Sequence, residues 1–192
     1  MKLSGETRPG DVCRFSPWRA LMLDNPVRRV FQDPRKITGR YLREGMTAID
    51  IGCGPGMFTL AMAGMVGVSG NVIAVDLQQE MLDELKKKSD RLGLTSRITF
   101  HRNNPDTLGL VEKADFILSF WMVHEVQDQV RFFREVRDLL KPGGKFLMVE
   151  PVFHVSGPVF AGSVERARRS GLTLIAAPVV RFSRAALFEV PG

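Results

Sequence analysis

The residues best suited to chemistry fall in two places. The first is the stretch 48–62, AIDIGCGPGMFTLAM, where Asp50 is followed by Gly52, Cys53, Gly54 and Gly56. Glycines at the end of an apolar run let the backbone turn sharply and let a ligand lie against bare amides. Asp50 closes that run, facing the same ligand, and Cys53 serves as a small side chain inside the turn. A second apolar run, NVIAVD, ends in Asp76. An acid so placed accepts hydrogen bonds from two ribose hydroxyls, or else caps the helix that follows. The second place is 120–125, where Phe120, Trp121, Met122 and Val123 lead into His124 and Glu125. Imidazole titrates near neutral pH, so His124 is a candidate general base, or else a histidine that packs at the start of a loop. His101 and His154 have no supporting motif.

These residues need a scaffold, and the hydrophobic pattern supplies one. A strand over 46–51, a helix over 57–68 and a strand over 71–76 form a βαβ unit around the glycine turn. A helix over 78–92 follows, with Met81, Leu82 and Leu85 inward and Gly93 as its stop. Further strands are expected over 97–102, 114–120 and 145–150, and further helices over 128–140 and 159–170. Residues 172–179 and 185–190 are both strand-like. The few residues between them are too short for a parallel crossover, so the two pair as an antiparallel hairpin. Ahead of all this, 26–31 and 34–43 read as two short helices, each with Asn or Asp before a proline. Phe15 and Trp18, in the aromatic and basic segment 13–23, either form a lid or belong to the core.

The glycine pattern is not the dinucleotide fingerprint G-x-G-x-x-G, because its third glycine position holds Met57. It reads D-x-G-x-G-x-G from Asp50 to Gly56. With Asp76, the strands at 98–108 and 114–121, and LLKPGGKFLMVEP at 139–151, it resembles the class I S-adenosylmethionine (SAM) methyltransferases over most of 46–192. The resemblance implies an α/β fold: a doubly wound seven-stranded sheet, order 3-2-1-4-5-7-6, last strand antiparallel, with helices on both faces. It implies a SAM-binding domain over 46–192, with 1–45 as a helical lid segment packed on it. SAM would then be the cofactor. Gly52, Gly54 and Gly56 would admit its methionine part, with Asp50 near the ammonium and Asp76 on the ribose. Leu77 and Met81 would cover the adenine, Asn104 (or Asp106) would meet its amino group, and Phe120 and Trp121 would lie near the methyl. Trp121–Glu125 resembles the Trp-x-x-His-Asp stretch of some O-methyltransferases, which assigns His124 the base role. The [DN]-P-P-[YF] motif, the Pro-Cys nucleophile and a magnesium-binding acid cluster are absent, so no metal is expected.

Composition bounds the partners. The chain has 192 residues, 44% of them hydrophobic, and a net charge of +6. Residues 1–43 hold ten Lys/Arg against four Asp/Glu, and 44–192 hold seventeen of each sign. A basic front of this kind meets an anionic substrate, a nucleic acid or a membrane surface, or is a solvated helical face. No run is long enough to span a membrane, and 1–11 lacks the apolar segment of a signal peptide. Cys13 and Cys53 form no C-x-x-C pair, and the expected location is the cytoplasm. The expected function is methyl transfer from SAM to an oxygen or nitrogen of a small molecule. The alternatives are an RNA or protein methyltransferase and a catalytically silent SAM-binding sensor or partner subunit.

Overall fold

A computed structural model describes residues 31–190. The chain enters through a short helix, α1 (Pro34–Thr38). It then runs β1 (Thr47–Ile51), α2 (Met57–Met65), β2 (Asn71–Asp76), α3 (Gln79–Leu92), β3 (Ile98–Arg102) and β4 (Ala114–Phe120). There follow α4 (Gln129–Leu139), β5 (Leu140–Pro151), α5 (Gly157–Arg169), β6 (Thr173–Ala176) and β7 (Ser183–Glu189). The seven strands form one sheet in the order β3-β2-β1-β4-β5-β7-β6. The first five are parallel, and β7 runs antiparallel to both β5 and β6. The expected fold and terminal hairpin are therefore observed.

Central strands are apolar on both faces because helices cover both. Ala48, Val72, Ala74, Phe116, Leu118, Leu147 and Leu187 pack with Met62 of α2 and with Leu82 and Leu85 of α3. Ile49, Ile51, Ile73, Val75, Ile117, Phe146, Met148 and Phe188 pack with Phe133 and Val136 of α4 and Ala167 of α5. The alternation along each strand thus decides which helix layer a residue meets. The parallel run of the first five strands leaves the loops after β1, β2, β4 and β5 together at one edge, the edge where parallel α/β sheets bind ligands.

Several boundaries differ from expectation, three of them by more than three residues. The helix foreseen over 34–43 stops at Thr38, whose hydroxyl donates back to Pro34 O at 2.8 Å. The Tyr41 amide then bonds Thr38 O at 2.9 Å and turns the chain. The strand foreseen over 172–179 is only Thr173–Ala176, and its register against β7 shifts between Leu174 and Ala176. The fifth strand begins at Leu140 rather than Lys145, and Gly143 at φ +73° takes up the turn within it. The aromatic segment with Phe15 and Trp18, Cys13, and all of the helix foreseen over 26–31 except Phe31 lie outside the described residues.

Candidate cofactor and acceptor site

The turn after β1 is held by β2. The amides of Gly52 and Cys53 both donate to Val75 O, at 2.8 and 3.0 Å, and the Gly56 amide donates to Cys53 O at 3.1 Å. The Gly54 amide donates to Asp76 Oδ2 at 2.9 Å. The turn therefore offers no bare amide at these four positions, contrary to expectation, because the acid of β2 and the strand carbonyl have already engaged them. What the turn offers is space. Gly54 sits at φ +52°, and a Cβ placed there meets nothing within 4 Å. Gly56 has a different reason to be glycine: at φ +92° its Cβ would lie 2.1 Å from Leu85 Cδ1, so it lets α3 close on the turn. Gly52 lies against Met122 Cγ, 2.9 Å from its would-be Cβ, which ties the first turn to the loop after β4.

A narrow slot of about 40 Å³ opens here, lined by Asp50, Gly52, Cys53, Gly54, Pro55, Met57, Phe58 and Phe120. Asp50 is 2% exposed, and its Oδ2 accepts a 2.6 Å bond from Thr59 Oγ1. Burial raises its pKa to about 7, against the opposing Thr59 bond and with help from the nearby Asp76 charge. Asp76 is also buried, and its pKa is raised by desolvation in spite of three backbone amides that favour the carboxylate. Its Oδ1 accepts from Gln78 N at 2.9 Å, so both oxygens are fixed in direction. Gln78 Oε1 is buried with no hydrogen-bond partner among the described residues. Sequence reasoning missed it, although its place two residues after Asp76 marks it. Burial also pushes the Cys53 thiol well above its usual range, which leaves it inert as a nucleophile.

The remaining expected cofactor residues are spread along the same edge. Leu77 is half-buried and its carbonyl accepts from Arg102 Nε at 3.2 Å; Met81 is buried. Asn104 is exposed in a two-residue bridge with Thr107, and Asp106 is exposed beside it. Asn103, one residue earlier, donates its amide to Asp76 O at 3.3 Å, which makes it the member of this loop nearest the β2 acid by bonding. Phe120 packs tilted against Phe58, ring centroids 4.4 Å apart, and both rings line the slot.

His124 lies in a single 3₁₀ turn after β4, Val123–Glu125. Its Nδ1 donates to Glu150 Oε2 at 2.5 Å, and the other oxygen of Glu150 accepts from Val123 N at 2.9 Å. Glu150, 2% exposed at the end of β5, is a second candidate residue that sequence reasoning overlooked. It carries the same signal as Asp76, an acid closing an apolar strand. Burial by itself depresses the imidazole, but the Glu150 hydrogen bond and charge, with Glu125, outweigh it and raise the His124 pKa above 6.5. A carboxylate on Nδ1 fixes the neutral ring as the Nδ1–H tautomer and leaves Nε2 as the basic atom. Nε2 has no hydrogen-bond partner among the described residues. His101, by contrast, is engaged with Leu108 O at 2.7 Å.

Turn, acid pair and sheet order together define a SAM-dependent methyltransferase of Rossmann-like fold. Residues 42–171 match the family model described as a methyltransferase domain, and the chain belongs to that family, with SAM as its cofactor. Curated relatives include demethylmenaquinone methyltransferases of Bacillus cereus and Bacillus anthracis, 30% identical over 118 residues. The alignment covers 60% of this chain and 50% of theirs, so the chain spans about half the length of the curated relatives it matches. A SAM-dependent methyltransferase from Aquifex aeolicus superposes with a TM-score of 0.81 at 25% identity, over 92% of this chain and all of that one. A SAM-dependent O-methyltransferase from Thermotoga maritima, at 20% identity, shares the fold with a TM-score of 0.67, over 83% of this chain and 65% of its own. No helix among the described residues is long and apolar enough to cross a membrane.

The site fits SAM on the chain's own evidence. The cradle over Gly54 is open, the two oxygens of Asp76 are aimed by amides, and Gln78 Oε1 waits for a donor. Burial raises the Asp50 pKa to about 7, and a cation beside it would favour the carboxylate.

Proposed function

We propose that the chain methylates a hydroxyl of a small molecule, with His124 as the base. The observation that carries this reading is the His124–Glu150 hydrogen bond of 2.5 Å, which places the neutral ring's proton on Nδ1 and leaves Nε2, with no hydrogen-bond partner among the described residues, as the basic atom. Bound SAM supplies a methyl carbon that is already electrophilic on its sulfonium. The chain's tasks are then to hold, align and deprotonate. Asp76 holds the ribose through oxygens whose other lone pairs rest on Gly54 N and Gln78 N. Asp50 balances the cationic end, Leu77 and Met81 cover the adenine, and Asn104 accepts from its amino group. Gly52, Gly54 and Gly56, with Cys53 between them, shape the turn beneath, and Phe120 walls the approach to the methyl. His124 Nε2 takes the acceptor's proton, and Glu150 steadies the imidazolium that results.

Two further observations support a small acceptor. The relatives named above take their name from demethylmenaquinone, a small molecule. The loops after β4 and β5 are short and add no separate substrate domain among the described residues. The test is His124→Gln. Turnover should fall about 10²–10⁴-fold while SAM affinity stays within twofold. In the unaltered protein the rate should fall as pH drops through the raised His124 pKa, since the imidazolium accepts no proton. A variant that loses SAM affinity and turnover together would assign His124 to the fold instead.

A further inference from the structure

Rings from two loops flank the proposed base. The loop after β4 carries Trp121 and His124, and the loop after β5 carries Phe153 and His154. They meet as two pairs: Trp121 and Phe153 edge-on with centroids 5.3 Å apart, His124 and His154 tilted at 5.2 Å. Trp121 is held at φ +63°, a backbone conformation that is costly for a bulky side chain. Its indole N–H donates to Ser183 Oγ at 2.9 Å and its amide to Val149 O at 2.8 Å, so strand ends on both sides fix the ring in place. Phe153 is 70% exposed and Phe182, also at positive φ, is 53% exposed. Neither ring contributes to either core cluster. Trp121 packs against the core, but Phe153 is exposed beside it, next to a histidine whose Nε2 has no hydrogen-bond partner among the described residues, and exposed apolar patches of this kind mark binding surfaces.

We propose that the acceptor is a planar phenol, its ring lying against Trp121 and Phe153 and its hydroxyl on His124 Nε2. This rests on the methyl-transfer reading above and deepens it. Flat rings in offset or edge contact suit a flat partner. The base sets the same limit. A tyrosine-like phenol ionises near pKa ~10, whereas a water-like hydroxyl ionises near ~15.7, roughly six powers of ten further from an imidazole. The step balances without another reactant. The phenolic proton passes to Nε2, an oxygen lone pair forms the bond to the methyl carbon, and the sulfur–methyl bond breaks with its electron pair remaining on sulfur. Solvent then takes the proton from His124.

The experiment titrates three phenols (phenol, 1-naphthol and 2-anthrol) and the saturated alcohols cyclohexanol and decahydro-1-naphthol into the full chain saturated with S-adenosylhomocysteine. At least one phenol should bind tenfold or more tighter than the saturated alcohols and be O-methylated when SAM replaces the product. Phe153→Leu, a change at an exposed side chain, should cut that preference at least fivefold and leave S-adenosylhomocysteine affinity within twofold. Saturated alcohols that bind as well as every phenol, or a preference untouched by Phe153→Leu, would overturn the phenol class while methyl transfer stands. Failure of S-adenosylhomocysteine itself to bind would overturn both readings.

Discussion

The proposed place of Asp50 at the cationic end of SAM makes cofactor binding depend on pH. In the ligand-free protein its pKa is about 7, because burial outweighs the bond from Thr59. The unfolded value is near 3.8, so between these two pH values the folded state holds a proton that the unfolded state has lost. The ligand-free fold thus loses stability as pH rises through this window. A cation beside the carboxylate reverses the preference, and SAM binding should expel the proton. With a pKa of about 7, roughly nine-tenths of the protein carries that proton at pH 6 and about half at pH 7. SAM affinity should therefore fall about fivefold from pH 7 to pH 6, with close to ~0.9 proton released per SAM bound at the lower pH. Calorimetric titrations in buffers of different ionisation enthalpy measure both quantities. Asp50→Asn keeps an oxygen for Thr59 but has no proton to lose, so its affinity should be flat across the interval and no release should be seen. An unchanged pH dependence in Asp50→Asn would remove Asp50 from the cationic end of the cofactor.

Four other outcomes are expected. Asp76→Ala removes the acceptor for two hydroxyls, each charged hydrogen bond being worth about 1.5–3 kcal/mol, and SAM affinity by titration should fall at least tenfold; unchanged affinity would move the ribose elsewhere. Glu150→Gln leaves burial as the dominant influence on His124, so the acid limb of the rate profile should move to lower pH as the maximal rate drops. In the unaltered protein the His124–Glu150 pair contributes stability that is complete below about pH 6.5 and is lost as pH rises through the raised folded pKa, and urea unfolding at several pH values should show that loss shrink in Glu150→Gln. Gly56→Ala puts a side chain at φ +92° against Leu85, and strain and overpacking together should cost about 2–4 kcal/mol in urea unfolding.

The layout of the sheet was legible because its periodicities are clean. Ala114–Phe120 forms the fourth strand over the very residues that its apolar run marks, and the short 180–184 link dictates the terminal hairpin. Asp50 and Asp76 were legible as acids closing apolar strands; Asp50 lines the slot and Asp76 ends β2 beside it, bonded to Gly54 N. Glu150 carries the same mark but lies 26 positions from His124. Only the parallel pairing of β4 with β5 brings the two together, and no local pattern reports that. The state of the turn's amides was hidden for the same reason: Val75 O and Asp76 Oδ2, over twenty residues downstream, engage them. The closeness of Gly56 to Leu85 was hidden because a glycine that admits a helix side chain and one that admits a ligand look alike in sequence.

The most direct test of small-molecule methylation uses SAM carrying a deuterated methyl group. The full chain is incubated with it and, separately, with a metabolite extract, total RNA and a protein fraction, and each is analysed by mass spectrometry for the label and for S-adenosylhomocysteine. The label should appear in a small molecule, on oxygen, in amounts matching the S-adenosylhomocysteine formed, and should vanish with His124→Gln. Label confined to RNA or protein, or S-adenosylhomocysteine no higher than in the enzyme-free blank, would contradict it.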